Sequence, residues 1–220
     1  MSLYALVRKN LYPQVQNNTW DIDKNGIPHF VNTNYIDLSK ISSISKYRSS
    51  FGHDYSDFTE HCRSMKHYFE PKPNTDWATI PIYAPIKGTI TRLDMEWADT
   101  KIEIASDDMP AFRFSIFHVN LLGNRTIGEH LSEGELIGTH IGNQTMSDIA
   151  VIVNDPSHQG RMVSYFETIT DELLHAFISR GAKTREDFLI SKAWRDAHPL
   201  TCDGETFTST DTIQNWVILQ

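Results

Sequence analysis

The feature that most constrains the fold is a series of short alternating segments in the middle of the chain. Residues 101–105 (Lys-Ile-Glu-Ile-Ala) and 112–119 (Phe-Arg-Phe-Ser-Ile-Phe-His-Val) alternate largely between apolar and polar side chains. A period of two predicts β-strands, because successive side chains of a strand point to opposite faces of the sheet. Further short strand-like runs occupy residues 81–91, 131–139 and 148–153. Strands this short and this closely spaced predict a compact antiparallel barrel or sandwich.

The period changes in the C-terminal part of the chain. Apolar residues recur at helical spacing from Val163 to Ile178, and Gly181 follows as a helix cap. Residues 184–187 (Thr-Arg-Glu-Asp) predict the start of a second helix that carries residues 188–194. The apolar stripe of these helices requires a surface that covers it, so we expect the helices to pack on the β domain.

These patterns divide the chain into three predicted parts. Residues 1–45 are polar, rich in turn signals, and predict an irregular N-terminal extension. Residues 46–155 predict the β domain, and residues 156–220 predict the helical extension. The fold class expected from the sequence is therefore mainly β with appended helices.

Charge and hydropathy exclude two classes of function. Twenty Lys and Arg stand against 28 Asp and Glu, and the net charge of -8 argues against a nucleic-acid-binding protein. No apolar run reaches the roughly 20 residues that span a bilayer, so we do not expect a membrane-spanning protein. Residues 1–9 lack a charged-then-apolar leader, which is consistent with a cytoplasmic protein or with an export signal outside this sequence.

Two cysteines, Cys62 and Cys202, stand far apart in the sequence. They either form one disulfide that closes a long loop or remain two buried thiols. The spacing does not choose between these alternatives.

His53 and Asp57 are candidates for a metal-binding pair. Residues four apart on a strand face the same side of a sheet, so both side chains can reach one ion. An imidazole and a carboxylate are two of the three protein ligands common in catalytic zinc sites. The spacing also arises often by chance.

The order of the later motifs strengthens the zinc hypothesis. Residues 81–90 (Pro-Ile-Tyr-Ala-Pro-Ile-Lys-Gly-Thr-Ile) resemble a strand of the lysostaphin- and LytM-type zinc endopeptidases, which cut the peptide cross-links of bacterial cell wall. In that family the strand follows a His-x-x-x-Asp zinc pair, as it does here. Residues 117–119 (Phe-His-Val) resemble the segment whose histidine assists catalysis, which implies that role for His118.

Two further segments extend the resemblance to about residues 50–153. Residues 128–138 are similar to the family's glycine turn and strand, and residues 145–151 stand where the family has its His-x-His strand. The resemblance implies the LytM-peptidase fold, the duplicated hybrid motif, over this range. It also implies zinc as the cofactor and His53 and Asp57 as metal ligands.

The sequence departs from the family at the catalytic centre. Where the family has a catalytic histidine and the third zinc ligand, this chain has Asp148 and Ala150. Alanine cannot bind a metal, and two protein ligands are fewer than catalytic zinc sites usually keep. We therefore expect a degenerate site with zinc absent or weakly bound, in which Asp148 is the candidate replacement for the missing ligand or for the catalytic histidine.

An insertion follows Asp57 and has two interpretations. It contains His61, Arg63, Lys66 and His67, and it would form either a lid that completes the metal site or a packed loop whose charged residues face water. Arg63 and Lys66 are candidates for a positive lip that binds an acidic ligand at the groove.

Two functions of different class follow from the resemblance. The first is a non-hydrolytic module that binds a cell-envelope peptide, a glycan or an envelope protein through the former active-site groove. The alternative is an active zinc peptidoglycan endopeptidase, its third ligand drawn from Asp148, His61 or His67 and His118 acting in acid–base catalysis. A third hypothesis is that only the fold is shared, since fold does not imply function. A periplasmic or extracellular location is implied by the resemblance alone.

The tryptophans are interpreted as packing residues. An aromatic side chain on the wall of a cleft would nevertheless suit a glycan-binding module. The residues concerned are Trp77, Trp97, Trp194 and Trp216.

Overall fold

The computed structural model describes residues 18–220, so residues 1–17 of the predicted N-terminal extension lie outside the described part of the chain. An antiparallel sheet of eleven strands dominates the structure, which confirms the mainly β fold class. Its strands are β1 (Ile41–Ser45), β2 (His67–Pro71), β3 (Pro81–Tyr83), β4 (Gly88–Glu96), β5 (Asp99–Ser106), β6 (Phe112–Leu121), β7 (His130–Leu131), β8 (Leu136–His140), β9 (Ser147–Val153), β10 (Arg161–Val163) and β13 (Trp216–Ile218). A separate hairpin joins β11 (Cys202–Asp203) to β12 (Thr206–Phe207).

The strand order brings distant parts of the chain together. The main path of the sheet is β13-β1-β2-β9-β6-β5-β4-β7, while β10 pairs with β9 and β8 joins β3 to β6. Strand β1 comes from the predicted extension at residues 1–45, and β13 comes from the C-terminal tail. Both ends of the described chain therefore contribute to the sheet.

Short helices cover the sheet, as the sequence predicts, but their bounds differ from the expectation. The four α-helices within residues 18–220 are α1 (Ile22–Asn25), α2 (Tyr165–Thr168), α3 (Asp171–Ile178) and α4 (Lys192–Ala197), and 3-10 turns occupy Leu38–Lys40, Trp77–Thr79 and Arg185–Phe188. None of the helices in residues 18–220 is long and apolar enough to cross a membrane.

The predicted continuous helices after Val163 are wrong in detail, because backbone pairing holds the chain extended between them. Ile169 forms a parallel bridge with Val31, and Leu189 forms one with Tyr47. Each helix then begins at a new cap: the Thr170 side chain accepts from Leu173 N, and the Ser191 side chain accepts from Trp194 N.

The helical extension shares the core of the β domain. Phe166 is fully buried, and its ring stacks on that of Phe188 with centroids 3.7 Å apart. Phe177 meets Phe166 edge-on at 4.9 Å. Burying side chains of this size stabilises each by roughly 1.5–3 kcal/mol, so the extension is held by packing rather than by helix propensity.

A change of partner along β6 opens the sheet at one point. Residues Phe112–Ile116 of β6 pair with β9, whereas Val119–Leu121 pair with β8. Between them, His118 has φ 62°, a left-handed conformation that is uncommon for a residue other than glycine. This irregularity re-aims the His118 side chain at the place where β8 and β9 separate.

The two cysteines form a disulfide, which resolves the alternatives left by the sequence. Cys62 and Cys202 are bonded with Cα atoms 5.7 Å apart. The bond ties the insertion to the β11–β12 hairpin.

Candidate functional site

A cavity of about 310 Å³ lies where β6 changes partner. Side chains of strands β2, β6 and β9 line it. The turn between β4 and β5 and the loop between β1 and β2 contribute further side chains. The residues on which its chemistry depends are His53, Lys66, Tyr68, Trp97, His118 and Asp148.

A buried ion pair forms the centre of this cavity. Lys66 Nζ donates to Asp148 Oδ2 at 2.9 Å, and their side chains are only 3% and 1% exposed. Pairing of β2 with β9 sets Tyr68 opposite Asp148, and Lys66 lies directly before the first residue of β2.

Aromatic rings enclose the ammonium group. Lys66 Nζ lies 3.9 Å from the ring centroid of Phe117, 4.3 Å from that of Tyr55 and 5.6 Å from that of Tyr68. Burial raises the pKa of both tyrosines, and the Asp148 charge adds to the rise, so their hydroxyls stay neutral. The ring faces attract the cation, and this attraction grows when water is excluded.

His53 contacts the same ammonium from the cavity side. Its Nδ1–H donates to the carbonyl of Asp54 at 2.9 Å, which leaves the Nε2 lone pair facing Lys66 Nζ at 3.3 Å. The preceding Gly52 has φ +75°, and a Cβ there would lie 2.3 Å from the Tyr68 hydroxyl oxygen. A glycine is thus required for the loop to bring His53 to the cavity.

His118 approaches Asp148 from the other side. Its Nδ1 lies 3.1 Å from the carbonyl oxygen of Ala98, to which Nδ1–H donates, and its Nε2 lies 3.7 Å from Asp148 Oδ1. The structure therefore brings together four of the side chains selected from the sequence, namely His53, Lys66, His118 and Asp148.

Asp57 does not share this cavity with His53. Its Oδ2 accepts from the backbone N–H of Met162 at 3.0 Å, and its Oδ1 accepts from the backbone N–H of Thr59 at 2.8 Å. The expectation that both side chains face one ion assumed a strand over residues 53–57. Only an isolated bridge at Tyr55 is extended there, so the rule for a shared face does not apply.

The remaining candidates of the insertion also lie elsewhere. His61 is exposed beside a separate cavity lined by Phe58. Arg63 is buried and pairs with Glu60 at 2.7 Å, so it does not form a lip of the groove. His67 lies on the opposite face of β2 from Lys66, where it is fully enclosed.

The buried position of His67 predicts loss of stability in acid. Its Nδ1–H donates to Ser45 O and its Nε2 accepts from the Ser164 hydroxyl, while burial lowers the His67 pKa from 6.5 to about 4. Between these pH values the unfolded chain binds more protons, so stability rises with pH. We expect His67 to reduce the free energy of unfolding by about 2 kcal/mol from pH 7 to pH 5.

Urea denaturation at pH 7 and pH 5 measures this effect. His67→Gln removes the titrating ring and should flatten the dependence by a similar amount. An unchanged pH dependence in the variant would mean that other groups cause the acid sensitivity.

The residues of the cavity do not fit a zinc ion. Within residues 18–220, no three His, Cys, Asp or Glu side chains are grouped to hold a metal. The Lys66 ammonium lies between His53 and Asp148, and Ala150 is buried in an apolar cluster with Phe117. Catalytic zinc sites usually have three protein ligands and an open position, which these groups do not provide.

Sequence reasoning missed two features of the site. Lys66 was selected as part of a lip, whereas it is the buried partner of Asp148. Trp97 was interpreted as a packing residue, whereas it lines the cavity and is 75% exposed. One local signal favours exposure of the Trp97 side chain, because this residue lies in a turn directly after a strand of alternating residues.

Comparison with known proteins gives structural matches only. No family model and no curated protein matches this sequence. Csd3 of Helicobacter pylori resembles this chain with 15% identity and a TM-score of 0.45, over 78% of this chain and 38% of that one. The catalytic domain of lysostaphin from Staphylococcus simulans has 15% identity and a TM-score of 0.37, over 51% of this chain and 81% of that one. The M23 metalloprotease pseudoalterin from the deep sea has 19% identity and a TM-score of 0.38, over 60% of this chain and 74% of that one. The chain spans 38% of the Csd3 chain. At TM-scores of 0.45 and below, the matches support no statement about function, which we argue from the cavity itself.

Proposed function

We propose that this protein is a non-hydrolytic binding module, which recognises a cell-envelope peptide, glycan or protein through the cavity at Lys66 and Asp148. The observation that carries the proposal is the buried ammonium between His53 Nε2 at 3.3 Å and Asp148 Oδ2 at 2.9 Å. It places a cation of the protein itself between the two side chains.

An ammonium at this position opposes the binding of a divalent cation by the same side chains. At a separation of about 3.5 Å and an effective dielectric constant of about 20, the two charges repel by roughly 10 kcal/mol. An ammonium has no coordination position for water and cannot polarise a scissile carbonyl as a Lewis acid does. The groups of the cavity thus support binding better than hydrolysis.

The disulfide supports a location in the cell envelope or outside the cell. A bond between Cys62 and Cys202 persists in oxidising compartments and is rare in the cytosol of most organisms. The proposed ligands occur in those compartments.

Incubation with purified peptidoglycan sacculi, with and without added zinc, tests the proposed function. We expect the protein to sediment with the sacculi and to release no soluble peptide fragments under either condition. His53→Ala is the matched variant, because it removes the one predicted zinc ligand of the His-x-x-x-Asp pair that faces the cavity. We expect it to release no fragments and to sediment less completely than the wild type, because His53 lines the cavity and contacts the Lys66 ammonium.

Zinc-dependent release of fragments, abolished in His53→Ala, would contradict the proposal. It would establish the alternative function, an active zinc endopeptidase with a rebuilt ligand set. Failure to sediment would remove the support for an envelope ligand.

A further inference from the structure

One oxygen of the central carboxylate has no partner. Asp148 Oδ2 accepts from Lys66, whereas Asp148 Oδ1 is buried and has no hydrogen bond to any described residue. An unpaired carboxylate oxygen in a buried position is costly, and such groups often mark a site completed by a ligand. Asp148 lines the cavity, so its carboxylate forms part of the cavity wall.

The nearest polar atom does not satisfy it. His118 Nε2 lies 3.7 Å from Asp148 Oδ1, beyond the range of a hydrogen bond. Because Nδ1–H donates to Ala98 O, the Nδ1-protonated tautomer of His118 presents the Nε2 lone pair toward the same space. Two acceptors that face each other in this way suit a ligand that donates two hydrogens.

An exposed aromatic ring flanks these acceptors. Trp97 is 75% exposed, lines the cavity, and its ring lies 5.8 Å from that of His118. The turn between β4 and β5 holds it at the rim. An indole face beside paired acceptors suits a sugar ring, whose C–H face packs on the indole while its hydroxyls donate.

The charges favour a neutral ligand over a second ammonium group. Lys66 already compensates Asp148, and a ligand cation at Asp148 Oδ1 would lie close to the Lys66 ammonium. Hydroxyl groups satisfy the acceptors without this repulsion. A volume of about 310 Å³ lies at the lower end of the range for small-molecule sites.

We propose that the cavity binds a pyranose unit of a glycan chain, with the ring on Trp97 and neighbouring hydroxyls donating to Asp148 Oδ1 and His118 Nε2. This inference rests on the proposed binding function and names its ligand class. Binding of a peptide or a protein in place of a glycan is an alternative outcome of the test.

Calorimetric titration with two probes tests the ligand class. The first probe is the uncharged tetrasaccharide of N-acetylglucosamine, and the second is the sugar-free stem peptide. We expect the tetrasaccharide to bind and the peptide not to bind. Trp97→Ala should weaken tetrasaccharide binding at least tenfold, and His118→Asn should weaken it about fivefold or more, because asparagine tolerates the left-handed backbone but is too short to reach the ligand.

Met95→Ala is the matched control for Trp97→Ala. Met95 lies in β4, two residues before Trp97, is 80% exposed and does not line the cavity, so its removal should leave tetrasaccharide affinity unchanged. Melting temperatures of all variants identify any loss of binding that is due to unfolding.

Equal binding of the tetrasaccharide to wild type and Trp97→Ala would overturn this inference. Binding of the stem peptide alone would also overturn it, as would sedimentation with sacculi without affinity for the tetrasaccharide. Both of these results leave the proposed function intact. If neither probe binds and the sacculi do not sediment the protein, the proposed function fails together with this inference.

Discussion

Replacing Lys66 with methionine is expected to lower the free energy of unfolding by about 3–5 kcal/mol, because it leaves the Asp148 carboxylate buried without its counter-charge. The Asp148 side chain is 1% exposed, so water cannot replace the lost ammonium. Methionine keeps much of the length and apolar stem of lysine, so the loss reports the charge rather than a cavity. Urea denaturation followed by circular dichroism measures it.

The double variant Lys66→Met with Asp148→Asn is the control for this prediction. It removes both charges, and replacing both members of a buried pair is often close to neutral. We expect the double variant to recover most of the stability lost by Lys66→Met. Equal losses in the single and double variants would show that compensation of Asp148 is not the role of Lys66.

Removal of the disulfide is expected to have an effect of similar size. Cys62 and Cys202 are 140 residues apart, and closing so long a loop stabilises the fold by about 5 kcal/mol in the chain-entropy treatment, with about 3–5 kcal/mol expected here. The bond also supports the cavity, because the β11–β12 hairpin contacts the loop of His53. Asp54 N donates to Glu205 O at 2.7 Å, and Glu205 Oε2 lies 3.5 Å from His53 Nδ1.

The double variant Cys62→Ser with Cys202→Ser tests the disulfide. We expect a lower melting temperature than that of the oxidised wild type and weaker sedimentation with sacculi. Dithiothreitol should lower the melting temperature of the wild type and leave that of the variant unchanged. A wild type that is insensitive to the reductant under conditions that release free thiols would contradict the prediction.

The alternating segments predicted the strands of the domain well. Residues 101–105 lie within β5 and residues 112–119 lie within β6, because burial of one face imposes a period of two on contiguous residues. The bounds of the C-terminal helices were predicted less well. The bridges of Val31 with Ile169 and of Tyr47 with Leu189 interrupt the helical period, and such long-range pairings leave no local signal.

The candidate site was predicted in part. Residue type and motif order selected His53, His118 and Asp148, which do line one cavity. They did not predict that Asp57 would satisfy backbone N–H groups instead, because the direction of its side chain depends on the fold of residues 53–62.

By itself, the sequence determined the succession of strands and helices and the residue types available for chemistry, since both are properties of neighbouring residues. Only the tertiary structure decided which of those residues meet. Lys66 and Asp148 are 82 positions apart, and the register between β2 and β9 brings the ammonium to the carboxylate. A shift of one residue in that register would turn the side chains of one strand to the other face and separate the two charges.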